Sequence, residues 1–248
     1  IRIMEASTQQ EEVRQVCIAI REYLRRTGNC YRDVAVIAGD LAAYASFLER
    51  TAALYDIPIY LDQTRGIVLN PFIEYLKSAL QIVTRNFTYE SVFHYIRSGL
   101  ADFTPEEADF LENYVLATGV RGKKRWQTIF VRKTPDMENE LEALEGLNVS
   151  RQKLVEQMEP LMQTFTDTRS LVMGLYGFIE KNEVQVKLKA YEEQFAAEGD
   201  AVKEREYAQI YRLVMDLLDS IVELIGDEPV KMEEFSQILE AGFQEIQV

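Results

Sequence analysis

Between Arg121 and Lys133 the chain reads RGKKRWQTIFVRK, and its cations stand there with no acid among them. Cations at this density neutralise successive phosphates, and Trp126 and Phe130, interleaved with them, offer rings for stacking on a base or sugar. DNA contact is therefore expected at Arg121, Lys123, Lys124, Arg125, Trp126, Arg132 and Lys133. The competing reading is a solvated hairpin whose charge is offset by the acidic run Asp136 to Glu145 (DMENELEALE).

Other reactive constellations are missing. A Walker phosphate loop needs GxxxxGK[ST], so that backbone N–H groups cradle phosphate and the lysine reaches its oxygens. In Gly119-Val120-Arg121-Gly122-Lys123-Lys124 the glycine spacing is wrong, and Lys124 stands where a hydroxyl is required. A single glycine, Gly39, follows the apolar run Val34 to Ala38, so the dinucleotide fingerprint is absent too. His94 is the sole histidine and reads as a helix-surface residue; no second imidazole exists for a relay or a zinc site. Cys17 and Cys30 lack a neighbouring base in the sequence. The acids after Pro135 have no acid-x-Lys triplet of the kind a two-metal nuclease needs. No catalytic, cofactor-binding or metal-ligating residue is expected within the chain.

The elements that must hold the basic stretch follow from periodicity. Tyr31 to Leu76 reads strand, helix, strand, loop, helix. Val34 to Ala38 (VAVIA) is a short apolar run of the kind found in a buried parallel strand, and Asp40 caps a helix carrying Tyr44, Leu48, Ala52 and Tyr55. Pro58 to Leu61 supplies another strand, and Asn70-Pro71 starts a helix with Phe72, Tyr75, Leu76, Ala79, Leu80 and Val83 on one face. Before them come a strand at Ile1 to Glu5 and a helix from a capping box at Thr8 to Gly28, with Val13, Val16, Cys17, Ile20 and Leu24 inward. From about Thr88 the signal is helical: Thr88 to Arg97, Thr104 to Gly119, Ser150 to Phe165, Thr168 to Glu180, Asp200 to Gly226 and Met232 to Phe243. Trp126 to Val131 has some strand character, and Ile246 to Val248 reads as a terminal strand. The 207–225 apolar pattern suits the central helix of a bundle better than a coiled-coil dimer seam, since only about three heptads repeat.

The expected fold is thus mixed α/β, mainly helical. A small parallel three-stranded sheet with flanking helices occupies residues 1–87, an all-helical insertion 88–231, and a return to the α/β piece 232–248. The chain begins with Ile rather than Met and opens and closes in expected strands, so it reads as a piece of a longer protein.

Composition sets the outer bounds. The formal net charge of −14, from 27 basic and 41 acidic residues, argues against nucleic acid on average; six cations in the 121–133 stretch leave −20 for the remainder. No apolar run is long enough to span a bilayer, and no signal peptide opens the chain. Two cysteines make no disulfide framework, which points to a reducing, cytoplasmic setting.

Several stretches together resemble a known family. Tyr31-Arg32-Asp33-Val34-Ala35-Val36-Ile37, the helix after it, Ile57-Pro58-Ile59-Tyr60-Leu61-Asp62 and Phe72-Ile73-Glu74-Tyr75-Leu76 resemble the second RecA-like domain (2A) of UvrD/Rep-type superfamily 1 helicases. Asp62-Gln63-Thr64, Leu69-Asn70-Pro71-Phe72, Tyr89-Glu90-Ser91-Val92-Phe93, Leu111-Glu112-Asn113-Tyr114 and Gly122-Lys123-Lys124-Arg125-Trp126 are similar to the AddB (RexB) components of AddAB (RexAB) helicase–nucleases. The resemblance implies a RecA-like sheet with a 2B-like helical insertion, within a subunit that processes double-strand DNA ends for recombinational repair alongside an AddA-like motor and nuclease partner. It also implies that ATP with Mg, an iron–sulfur cluster and a nuclease metal belong to the parent protein outside these residues. Arg97-Ser98-Gly99-Leu100 lacks the glycine-rich hairpin pattern of UvrD-type insertions, so the resemblance assigns no duplex-contacting residue. The rival reading of the whole is a helical protein–protein interaction module without nucleic-acid binding; a small-molecule enzyme using the βαβ crevice ranks behind both.

Overall fold

The computed structural model describes residues 3–61, 66–134, 137 and 139–247. Its chain divides into two compact units, Ile1–Thr64 and Arg65–Val248.

In the first unit, α1 (Gln9–Thr27) and α2 (Leu41–Leu54) pack together through Val13, Cys17, Leu48, Ala52 and Ile57. The cap signals are realised. Thr8 Oγ1 accepts the Glu11 N–H, and Gly28, with φ 73°, turns out of the helix and returns its N–H to the Leu24 carbonyl. Asp40 accepts the Ala43 N–H at the start of α2. Cys17 is a core residue and Cys30 is exposed.

Among the described residues the expected three-stranded parallel sheet is not formed, and the fold they show is all-helical rather than mixed α/β. Val34 is extended (φ −114°, ψ 127°), but among the described residues neither Val34 to Ala38 nor Pro58 to Leu61 enters a ladder. Ile3, Val36 and Ile37 stay exposed, Ile37 at 95%. The one bridge among the described residues joins Gly66 and Gln247, antiparallel. An apolar run reports a preference for extended backbone, whereas a strand also needs a partner to take its N–H and C=O groups, and that partner is non-local. Ile1, Arg2, Asp62 to Thr64 and Val248, used above for strands and resemblance, lie outside the described residues, as do Pro135, Asp136 and Glu138.

The second unit is a helical bundle. It comprises α3 (Pro71–Thr84), α4 (Tyr89–Ile96), α5 (Pro105–Thr118), α6 (Lys123–Gln127), α7 (Glu140–Met158), α8 (Thr168–Lys181), α9 (Val184–Glu198), α10 (Ala201–Ile225) and α11 (Met232–Glu245). Helix α3 is buried almost all round, through Phe72, Ile73, Tyr75, Leu76, Ala79, Leu80 and Ile82, and packs on α4 and α11. Thus α3 and α11 sit in the helical unit. Tyr75 and Tyr95 stack and share a hydrogen bond, and Gln157 and the Ala101 carbonyl extend this buried polar chain. Burial drives both tyrosine hydroxyls well above the ordinary phenol range. The 207–225 pattern is satisfied within the chain: Tyr207, Ile210, Val214, Leu218 and Ile221 are buried, and α10 packs on α8 and α9. Periodicity passed over α9, whose buried residues are few.

Candidate nucleic-acid interface

The basic stretch begins where α5 ends. Thr104 and Glu107 close a reciprocal capping box at the start of α5, and Gly119, with φ 69°, stops it. Gly122 adopts φ 82°, a conformation costly for any residue with a Cβ, and this turns the chain into α6. The turn is pinned from the α3–α4 connection: Asn86 Oδ1 accepts the Lys123 N–H at 3.0 Å, and the Phe87 carbonyl accepts the Gly122 N–H.

Beyond α6 the chain leaves helical geometry at Thr128 (φ −95°, ψ 139°) and runs alongside α7. Asn148 clamps it. Its Oδ1 accepts the Phe130 N–H at 2.8 Å, and its Nδ2 donates to the Phe130 carbonyl at 2.9 Å. Nδ2 also donates to the Leu144 carbonyl, and Arg151 Nε donates to Oδ1, so the amide's capacity is filled. Arg151 in turn donates to the Trp126 carbonyl at 2.9 Å and lies over the Phe130 ring. Its guanidinium is nearly enclosed, no acid pairs with it among the described residues, and burial lowers its pKa. Tyr114 packs on Phe130 with ring centroids 4.9 Å apart. Burial, opposed by the backbone and charge of Arg132, raises the Tyr114 pKa.

The seven expected contact residues therefore separate. Trp126 is fully buried against Phe130, so its ring is a core side chain unable to stack on a base, and that expectation is corrected. Lys123 is half-buried, with its ammonium on the Met162 carbonyl. Lys133 is exposed but pairs with Glu140. Arg121, Lys124, Arg125 and Arg132 are exposed and make no ion pair among the described residues. The later part of the acidic run forms a solvated face at the start of α7, where the exposed Glu140 and Glu142 complement the helix dipole.

Sequence reasoning missed Asn86, Asn148 and Arg151, which position the basic stretch. Arg151 alone left a signal, as a cation within the buried stripe Leu147, Leu154, Met158. Nearby, a groove of about 790 Å³ runs between Asp102, Ile129, α7 and the α8–α9 turn. Its walls mix Glu145, Glu156 and Glu183 with Arg151, Lys153 and Lys181, so it selects no charge. His94 lies on the surface 3.6 Å from Glu74. Among the described residues no three His, Cys, Asp or Glu side chains converge on a metal position, and two cysteines cannot furnish the four thiolates of an iron–sulfur cluster. No described helix is long and apolar enough to cross a membrane.

No protein-family model matches the chain. Individual relatives do. The chain is 36% identical, along its whole length, to the AddB component of the ATP-dependent helicase/deoxyribonuclease of Lachnoclostridium phytofermentans. Proteins of the same name from Clostridium botulinum and Caldanaerobacter subterraneus subsp. tengcongensis are 35% and 32% identical, again over all of it. The chain belongs to this AddB family. It spans 22% of the length of each of these relatives. Family membership agrees with the resemblance read from the 31–76 and 89–126 motifs, although the sheet that came with it is not formed among the described residues.

Proposed function

We propose that this chain is a non-catalytic, scaffolding segment of a helicase–nuclease subunit that processes double-strand DNA ends for recombinational repair, and that it contacts duplex DNA through Arg121, Lys124 and Arg125, with Arg132 and Lys133 at the margin. One observation carries the reading: these cations project from a short element whose other side is fixed by Trp126, Asn148 and Arg151, so their spacing is preorganised. Phosphate contacts of this kind position a duplex without reading its sequence. ATP hydrolysis, strand cleavage, Mg, the nuclease metal and the iron–sulfur cluster are assigned to other parts of the parent protein, and an AddA-like partner supplies the motor.

The test is a fluorescence-anisotropy titration of a blunt duplex with the chain and with its Arg121→Ala/Lys124→Ala/Arg125→Ala variant. Weaker binding by the variant supports the reading. Equal binding, or none by either protein, moves the choice to a helical protein–protein module, which the net charge of −14 favours.

A further inference from the structure

The stretch after α6 offers more than its charges. The backbone N–H and C=O of Phe130 point to Asn148. In an extended chain alternate residues direct these groups to opposite edges. The groups of Ile129 and Val131 accordingly face away from α7, and among the described residues they have no hydrogen-bond partner. Their side chains are β-branched and lie in water, 62% and 73% exposed. Open apolar edges of this kind are what native proteins ordinarily blunt or cover.

We propose that Thr128 to Lys133 is an open β-edge that receives an extended, acidic segment of a second polypeptide, added as a strand. Asn148 occupies the inner edge in the place a neighbouring strand would take, and the outer edge is left unpaired. Main-chain pairing to a free edge supplies affinity in this mode, while alternate side chains supply selectivity. Ile129 and Val131 would pair across the strands with apolar residues. The exposed Arg132, which makes no ion pair among the described residues, favours acids on the incoming chain. A nucleic-acid backbone fits this edge less well: phosphates only accept hydrogen bonds, so the outward carbonyls of Ile129 and Val131 would stay unmatched. The inference is independent of the DNA contacts assigned to Arg121, Lys124 and Arg125.

The test uses the full chain, isotope-labelled for NMR, and a synthetic peptide alternating Glu and Val. Two controls are the same peptide N-methylated at alternate residues and a Lys/Val version. At about ten times its dissociation constant the acidic peptide should slow exchange of the Ile129 and Val131 amides about tenfold. The N-methylated peptide should not, and the Lys/Val peptide should bind more weakly. Val131→Pro removes one outward N–H at a position where an edge tolerates proline, and should abolish the protection. Should that variant unfold, Val131→Glu, which sets a charge against the acidic strand, replaces it. No protection at millimolar peptide, equal protection by the N-methylated peptide, or protection by duplex DNA instead would each overturn the proposal.

Discussion

Asn148→Ala removes the clamp on the basic stretch while leaving every cation in place. The amide makes two bonds to Phe130 and accepts one from Arg151. The bond to the Leu144 carbonyl counts for less, since that carbonyl belongs to the α7 ladder. Each lost bond costs about 1 kcal/mol, and more where a nearly buried partner is left without water, so the variant should lose about 2–4 kcal/mol. At about 2–4 °C per kcal/mol for a unit of this size, the melting temperature should fall by about 4–16 °C. Trp126 is the only tryptophan and lies in this core, so its fluorescence during urea unfolding follows the second unit alone. Asn148→Asp keeps an acceptor for Phe130 and gives Arg151 an ionic partner, and should recover about half of the loss. A change below about 0.5 kcal/mol in the alanine variant, the scale of an ordinary surface substitution, would refute the clamp.

Three further outcomes follow from the same structure. Trp126→Ala empties a fully buried site and should destabilise the second unit by about 3–5 kcal/mol, read by circular dichroism; a mild effect would show the ring to be less enclosed. Thr104→Ala opens the α5 capping box and should cost about 1 kcal/mol in urea, with no loss of DNA affinity beyond that of folding. Glu112 is held below its ordinary carboxylate pKa, first by the Tyr89 hydroxyl and then by Arg97. Since its folded pKa is depressed, its contribution is present above the unfolded value of 4.5 and is lost as pH falls through the lower folded value. Acid titration of Glu112→Gln should therefore show a shallower decline in stability below that pH than the parent, and parallel curves would remove Glu112 from the acid response.

What the sequence disclosed and what it withheld divide by the range of the interactions involved. Thr8, Asp40, Asn70, Thr88 and Thr104 each start the helix their side chain suggests, because a cap is settled within four residues. The 207–225 pattern was readable for a similar reason, although its packing on α8 and α9 was not. The sheet failed because VAVIA and PIYL fix only a local preference, and pairing is decided by remote backbone. For the candidate site, the cations were visible as composition, but which of them face water was not. Trp126 looked like a stacking platform beside Lys124 and Arg125, yet one turn of α6 carries it inward to Phe130. The clamps Asn86 and Asn148 act across 37 and 18 residues, and a single asparagine leaves no periodic trace. Family similarity was legible from motifs because it rests on identities spread along the chain rather than on any one contact.

The most direct test of the DNA reading is the salt dependence of duplex binding. If Arg121, Lys124 and Arg125 each neutralise a phosphate, log Kobs against log salt should fall with a slope of about −2.7, steeper if Arg132 joins them. The triple alanine variant should lose most of that slope while keeping its Trp126 unfolding transition. An unchanged slope in a folded triple variant, or binding by the parent chain that ignores salt, would contradict phosphate contact at this surface.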